Sequence, residues 1–437
     1  MTQRSEHHSP LSTVEEVQDF YERYPYPRPV DSLEQYCRLW EDPQRRRADY
    51  HLFWPDQPYR ENYSILIAGC GTSQAAKHAL RRPSAQVTGI DFSATSVHHT
   101  KELKQKHNLN NLQVHQLAIE QVHELQMSFD QIVCTGVLHH LTNPDAGLSA
   151  LRSVLKLNGA MHLMVYAPYG RTGIYMLQEF CKRLSIRATD EEIRDLITAL
   201  KALPPGHPLE NLLREAPDFR HEAALADALL HPRDRAYSVP QLFDFIERAG
   251  LTFIRWVKQA HYDPHCGVLA KIPQATRMTG LPQAEQYAAA ELFRGTMVRH
   301  SFIAYRNDNA DRITPIGFHG DKWMRYVPIR MPETICIQER LPAGAAAVLI
   351  NQNHIYRDLF LPISSQEKRL FDAIDGSHTI RDIMERTPDS SSGQSQLEPA
   401  RTFFESLWRH DQVAFDTSKN YGTSDCPCDS RPERLSL

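Results

Sequence analysis

A chain of 437 residues, 41 % hydrophobic and 23 % charged, has the composition of a globular protein and enough material for two or three domains. Its formal net charge of −4 excludes a molecule-wide field for nucleic acid or anionic membrane, so Arg45-Arg46-Arg47 and Arg81-Arg82 read as short solvated clusters. Eight scattered cysteines suit reduced thiols, and no apolar run reaches the roughly 20 residues that span a bilayer. With the polar stretch Met1 to Pro10 carrying no signal-peptide core, the expectation is a cytoplasmic protein with no membrane partner.

Residues 1–10 are expected to lack fixed structure. Leu11 to Tyr24 is predicted helical, because Ser12 or Thr13 can cap it, Glu15 and Glu16 suit its positive end, and Val14, Val17, Phe20 and Tyr21 share a face. Tyr24-Pro25-Tyr26-Pro27-Arg28-Pro29 stops it, since alternate prolines force an extended path. A second helix is predicted over Ser32 to Arg47. From 63 to about 168, strands alternate with helices. The strands are Ile65–Ala68, Val87–Ile90, Leu112–Gln116, Phe129–Thr135 and Ala160–Tyr166. The helices are Ala75–Leu80, Ser93–Lys106 and Pro144–Leu155, the last stopped by Leu157-Asn158-Gly159. This alternation predicts an α/β, doubly wound parallel sheet with right-handed crossovers.

Residues 172–236 break the rhythm. Ile174–Leu184, Asp190–Leu203 and Glu222–Leu230 read as helices of an insertion placed just past a strand's carboxyl end, where α/β enzymes recruit substrate-binding segments. The core resumes with a helix from Ser238 to Ala249, a strand Leu251–Gln259, a helix Pro282–Val298 and a strand His300–Arg306. Beyond 315, Leu349–Leu361 is strand-like, Ser364–Ala373, Thr379–Glu385 and Arg401–Trp408 are helical, and Val413–Phe415 is a short strand. Ser390–Ser395 reads as a flexible link. The expected domains are a helical cap (1–60), an α/β domain (61–310), a winged-helix-like accessory domain (315–417) and a disordered tail (418–437).

The chemistry begins at Ile65-Leu66-Ile67-Ala68-Gly69-Cys70-Gly71-Thr72-Ser73-Gln74, answered twenty residues later by Val87-Thr88-Gly89-Ile90-Asp91. Glycines let a backbone approach a ligand closely, and an acid ending the second strand can accept hydrogen bonds from a ribose diol. Gly69-x-Gly71-x-Ser73 is more compact than the dinucleotide fingerprint.

Four segments together resemble the class I S-adenosylmethionine-dependent methyltransferases over roughly residues 60–170 and 237–306. They are Ala68-Gly69-Cys70-Gly71-Thr72, Asp91, Phe129-Asp130 through Val137-Leu138-His139-His140-Leu141, and Arg152-Ser153-Val154-Leu155-Lys156-Leu157-Asn158-Gly159. The resemblance implies a Rossmann-like fold and S-adenosyl-L-methionine held by Ala68, Gly69, Cys70, Gly71, Gln74, Asp91, Phe92, Ala118, Ile119 and Thr135. Three positions depart from the family pattern: Ile67 replaces a frequent acid, Ser73 a third glycine, and Ala118 an adenine-binding Asp.

The implied reaction is in-line transfer of a methyl group to a small molecule or a protein side chain. His139 and His140 are the nearest candidates for a catalytic base, with Tyr21, Tyr166, Tyr169 and Arg171 bordering the substrate. An aromatic cluster of Tyr21, Tyr24 and Tyr26 precedes the core. His231-Pro232-Arg233-Asp234-Arg235 reads as an internal ion pair or an anion-recognising turn. His261, Asp263, His265 and Cys266, like Cys426 and Cys428, lack the spacing of a metal site, so none is assigned. Asp375-Gly376-Ser377-His378-Thr379 caps a helix of the accessory domain. Its helices are not basic, which favours protein contact over DNA. The alternative function is a non-catalytic cofactor sensor with a winged-helix interaction module.

Overall fold

Ser64–Ala68 (β1) is an apolar run buried along nearly its whole length, which requires neighbours on both edges and cover on both faces. Those neighbours come from the rest of the alternating segment. The computed structural model describes residues 14–25, 27–210, 221–312, 315–388 and 397–420. The N-terminal disorder, the caps Ser12 and Thr13, Tyr26, the Ser390–Ser395 link and the tail cysteines Cys426 and Cys428 lie outside them. Among the described residues, no helix is long and apolar enough to cross a membrane.

The chain forms two units, one from residues up to Glu41, Glu61–Val257 and Thr276–Ala310, the other from Asp42–Arg60, Lys258–Ala275 and residues from Asp311 onward. In the first, Val14–Arg23 (α1) and Glu34–Leu39 (α2) precede β1. Pro43–Phe53 (α3) belongs to the second. The single helix expected over Ser32–Arg47 is therefore two, because Pro43 starts a new helix and the Asp42 carboxylate accepts the Gln44 N–H at 2.8 Å.

After β1 come Gln74–Arg81 (α4), Gln86–Asp91 (β2), Ala94–Lys106 (α5), Leu112–Gln116 (β3), Phe129–Thr135 (β4), Pro144–Ser153 (α6) and Leu155–Tyr166 (β5). Later follow Val239–Arg248, Leu251–Trp256 (β6), Gln283–Arg294 and Arg299–Arg306 (β7). The seven strands lie in the order β3-β2-β1-β4-β5-β7-β6. The first five are parallel, while β7 runs antiparallel to both its neighbours. Strand order reverses between β1 and β4, the place where open α/β sheets hold ligands beyond the carboxyl ends.

Three boundaries differ from expectation. Leu157-Asn158-Gly159 does not stop the chain but lies inside β5, in a bulge where the register shifts between Phe129 and Gln131. β6 ends at Trp256 rather than Gln259, and the helix from Gln283 ends at Arg294, where Gly295 caps it.

The insertion consists of Thr172–Arg183 (α7), Asp190–Leu200 (α8) and Glu222–Leu230 (α9) around Ile174, Leu177, Leu196, Leu225 and Leu229. Phe20 of α1 and Tyr24 just beyond it pack on Ile193 and Ala226 of this cap. The excursion ends where it began, since Tyr237 N–H donates to the Tyr166 carbonyl at 2.9 Å and Ala236 bridges Tyr166 in parallel.

In the second unit the expected strand Leu349–Leu361 is a hairpin, Ala347–Asn351 against Phe360–Ile363, in a three-stranded antiparallel sheet with Thr334–Ile337. Val327–Arg330 pairs with Val413–Asp416. Three helices, Ser365–Asp372, Ile380–Arg386 and Leu397–Arg409, supply Phe371, Ile383, Phe403 and Phe404 to its core. Capping boxes at Ser364/Glu367 and Thr379/Asp382 open the first two.

Candidate functional site

Beyond β1, Gly69 (φ +68°) and Gly71 (φ +53°) turn the chain through left-handed conformations into α4. A Cβ on Gly69 would lie 2.4 Å from Val137 Cγ2, so this turn sits directly on the segment that follows β4. Cys70 N–H donates to the Ile90 carbonyl at 2.9 Å, and the Thr100 hydroxyl donates to the Gly71 carbonyl at 2.8 Å. Both bonds hold the turn against β2 and α5.

Asp91 ends β2, and its carboxylate accepts Gly71 N–H at 2.8 Å and Ser93 N–H at 3.0 Å. Burial pushes this carboxyl up to about 6, even though the two backbone donors pull the other way. Phe92 follows directly. The Leu117 N–H bonds the Asp91 carbonyl at 2.9 Å and brings Ala118 and buried Ile119 to the same end of the sheet. Gln74 Nε2 donates to the Thr135 hydroxyl at 3.4 Å, linking the start of α4 to the end of β4. Ala68 and Cys70 are buried beneath the turn, and the Ser73 hydroxyl oxygen beside them is buried without a hydrogen-bond partner. All the residues expected at the cofactor thus converge on the carboxyl ends of β1, β2, β3 and β4.

The N-terminal helix closes on this end. Glu22 accepts the Ala94 and Thr95 N–H groups at the start of α5, at 2.5 and 3.0 Å. Gln18 Nε2 donates to the Phe92 carbonyl at 3.3 Å.

A second cluster forms between β4, β5 and the cap. His139 is buried with its ring 3.8 Å from that of Tyr166, and burial holds it well below the usual imidazole range. Neither of its ring nitrogens has a partner among the described residues. His140 is buried beside it and donates from Nδ1 to the Arg233 carbonyl at 2.6 Å. Tyr21 and Tyr166 donate to the two oxygens of Asp227, at 2.9 and 3.4 Å. Arg171 lies 3.6 Å over the Tyr166 ring and pairs with buried Asp234 at 2.5 Å. Tyr169 stands 41 % exposed, with its carbonyl accepting the Thr172 hydroxyl.

Sequence reasoning did not find Asp227, read His231 only as the start of a polar turn, and sought the partner of Asp234 in Arg233 and Arg235 rather than Arg171. Asp227 carried a readable signal, as the one charged residue within the apolar run Ala223–Leu230. In the second unit, Asp263 pairs with Arg409 at 3.0 Å and with His265 at 2.9 Å, which accounts for these side chains as an ion-pair cluster.

Residues 66–161, from β1 into β5, match a family described as a methyltransferase domain. An uncharacterized Synechococcus protein is 30 % identical over 309 residues, which are 68 % of this chain and 73 % of the relative. The ubiquinone biosynthesis O-methyltransferase of Pasteurella multocida is 25 % identical over 156 residues, 30 % of this chain and 61 % of that enzyme. Among solved structures, PKMT2 from Rickettsia typhi superposes with a TM-score of 0.60 at 16 % identity, covering 87 % of this chain and 75 % of that one. The fold is thus shared over 87 % of this chain, and the domain match spans Gly69, Gly71, Asp91 and Thr135. By these findings the chain belongs to the class I S-adenosylmethionine-dependent methyltransferase family.

Proposed function

We propose that S-adenosylmethionine lies across the carboxyl ends of β1, β2 and β4, and that the chain moves its methyl group to a small molecule or a protein side chain by in-line displacement. The carrying observation is Asp91, a buried carboxylate fixed by two backbone donors, with lone pairs remaining for the two hydroxyls of a ribose. Bound there, the cofactor supplies a sulfonium methyl whose leaving group departs as a neutral thioether. Gly69 and Gly71 let the backbone approach it, the unpartnered Ser73 hydroxyl and Gln74 serve its polar methionine end, and Phe92, Ala118 and Ile119 border the adenine.

With so good a leaving group, the chain's work is mainly positioning. Tyr21, Tyr166, Arg171 and Tyr169 border the acceptor, and His139 or His140 receives its proton where one must leave. The second unit, with three helices and short antiparallel strands, reads as a winged-helix-like module for protein contact.

Isothermal titration with S-adenosylmethionine and S-adenosylhomocysteine tests the assignment, with sub-millimolar binding of both expected. Asp91→Ala removes a charge-assisted contact and should cost about 1.5–3 kcal/mol of that binding. Unchanged affinity in a folded Asp91→Ala protein ends the ribose assignment.

A further inference from the structure

The methyl-transfer reading leaves the acceptor atom open, and a pair of stacked histidines beside the site narrows it. His140 follows β4 and His231 follows α9; their ring centroids are 4.0 Å apart with planes tilted by 39°. The backbone of one residue, Arg233, dictates the protonation of both. Its carbonyl can only accept, so His140 Nδ1, 2.6 Å away, carries the ring hydrogen and His140 Nε2 is left with a bare lone pair. Its N–H can only donate, so His231 Nδ1, 2.9 Å away, holds the lone pair and His231 Nε2 carries the hydrogen.

Neither Nε2 has a hydrogen-bond partner among the described residues, although both are buried. A buried donor and a buried acceptor left unmade side by side are costly, and such pairs call for a ligand that completes them. Ligand-capable atoms of His140, Asp227 and His231 lie within 4.8 Å of one another. With the two ring centroids only 4.0 Å apart, one oxygen atom making two hydrogen bonds of about 2.8 Å can bridge the pair. The constellation resembles the donor set of a divalent cation, but a cation needs a lone pair from each ring. His231 offers none on its free side, because its lone pair faces Arg233 N–H. Asp227 is already engaged by Tyr21 and Tyr166.

The pair therefore fits a group that donates once and accepts once. We propose that His140 and His231 receive the acceptor hydroxyl of an alcohol or phenol, its O–H donated to His140 Nε2 and its oxygen accepting from His231 Nε2. A hydroxyl oxygen so held keeps a second lone pair for the methyl carbon. An amine nitrogen has a single lone pair, which His231 would occupy, and a thiol sulfur accepts only weakly. In transfer, the O–CH3 bond forms as the C–S bond breaks with its electron pair left on sulfur, and the hydroxyl proton moves to His140 Nε2. The resulting imidazolium keeps its Nδ1–H on the Arg233 carbonyl.

Two measurements on the full chain decide the matter. Histidine-selective 15N spectra, assigned with His140→Gln and His231→Gln, should show Nδ1–H for His140 and Nε2–H for His231. Matching tautomers on the two rings, or one Zn2+ ion bound by both, would overturn the proposal. In the second, methyl-labelled S-adenosylmethionine is incubated with an extract of the cells that make the protein, and the labelled atom is identified by mass spectrometry. Label is expected on oxygen, falling by about 100-fold or more in His140→Gln while S-adenosylhomocysteine affinity stays within about twofold. Label on nitrogen or sulfur, undiminished transfer by His140→Gln, or no transfer by a chain that binds the cofactor each refutes it. Failure of the wild-type chain to bind S-adenosylhomocysteine would instead sink the cofactor assignment beneath it.

Discussion

The Tyr21 hydroxyl donates to Asp227 Oδ1 at 2.9 Å, joining α1 to α9 across 206 positions of sequence. Burial, followed by the neighbouring Asp227 charge, pushes this phenol well above its ordinary range, so it stays a donor throughout the physiological range. Tyr21→Phe keeps the ring but leaves a buried carboxylate oxygen unpaired, at a cost of about 1–3 kcal/mol. Amide exchange over residues 17–24 should then quicken by roughly 5- to 150-fold. Unaltered exchange there would show that apolar packing of Phe20 and Tyr24 alone holds α1.

If Asp91 holds the ribose as proposed, cofactor affinity should depend on pH. Its folded pKa of about 6 lies above the ordinary 3.8. Between those values the empty folded protein holds a proton that the unfolded chain has lost. The stability contribution of this group is therefore present at low pH and lost as pH rises through about 6. Ribose hydroxyls need the ionised form as acceptor. S-adenosylhomocysteine affinity should thus be flat above about pH 7 and weaken towards tenfold per unit below about 6. Asp91→Asn should bind weakly and lack this step. A wild-type affinity that does not change between pH 5 and pH 8 would remove Asp91 from the binding site.

Gly69→Ala combines two penalties, a left-handed backbone for a residue with a Cβ and an overlap with Val137 Cγ2. Together they should destabilise by about 2–4 kcal/mol. Val137→Ala in the same chain relieves only the overlap, so denaturant unfolding of the double variant should recover part of the loss. Full recovery would mean that the backbone conformation is not under strain, and no recovery that Val137 yields freely.

Arg171 and Asp234 form an ion pair with side chains only 6 % and 3 % exposed, and Gln178 Nε2 adds a bond to Asp234 at 2.8 Å. Arg171→Met strands a buried charge and should cost about 3–5 kcal/mol, while Arg171→Met with Asp234→Leu should cost less than the single change. Thermal unfolding of the three variants checks the order. A double variant less stable than Arg171→Met would indicate that Asp234 is held by Gln178 and its surroundings rather than by Arg171.

The parallel half of the sheet was legible because β1, β2 and β4 are short, largely apolar runs closed by polar or glycine turns, and Asp91 stood out as the acid at such a closure. The placement of β7 between β5 and β6 was not legible, since alternation announces a strand but not its neighbour. Val327–Arg330 went unread for its internal Pro328, and so did Thr334–Ile337, a half-exposed edge strand. The convergence of Gly69, Gly71, Asp91 and Thr135 on the carboxyl ends of the strands was readable from local spacing. Asp227 and His231 were not, because they lie some 90 residues further along and reach His140 only through the fold of the inserted cap.

That cap leaves the sheet after Tyr166 and returns to it at Tyr237, with one backbone hydrogen bond joining the two points. Such an excursion is closed upon itself. It can lengthen, shrink or be exchanged without re-threading any strand, because both splice points remain side by side. Under the proposed function, acceptor preference travels with His231 in the cap, separately from the grip on the cofactor proposed for Gly69, Gly71 and Asp91. A lineage could change what it methylates by swapping one cassette, and an engineer could do the same at the same two joints.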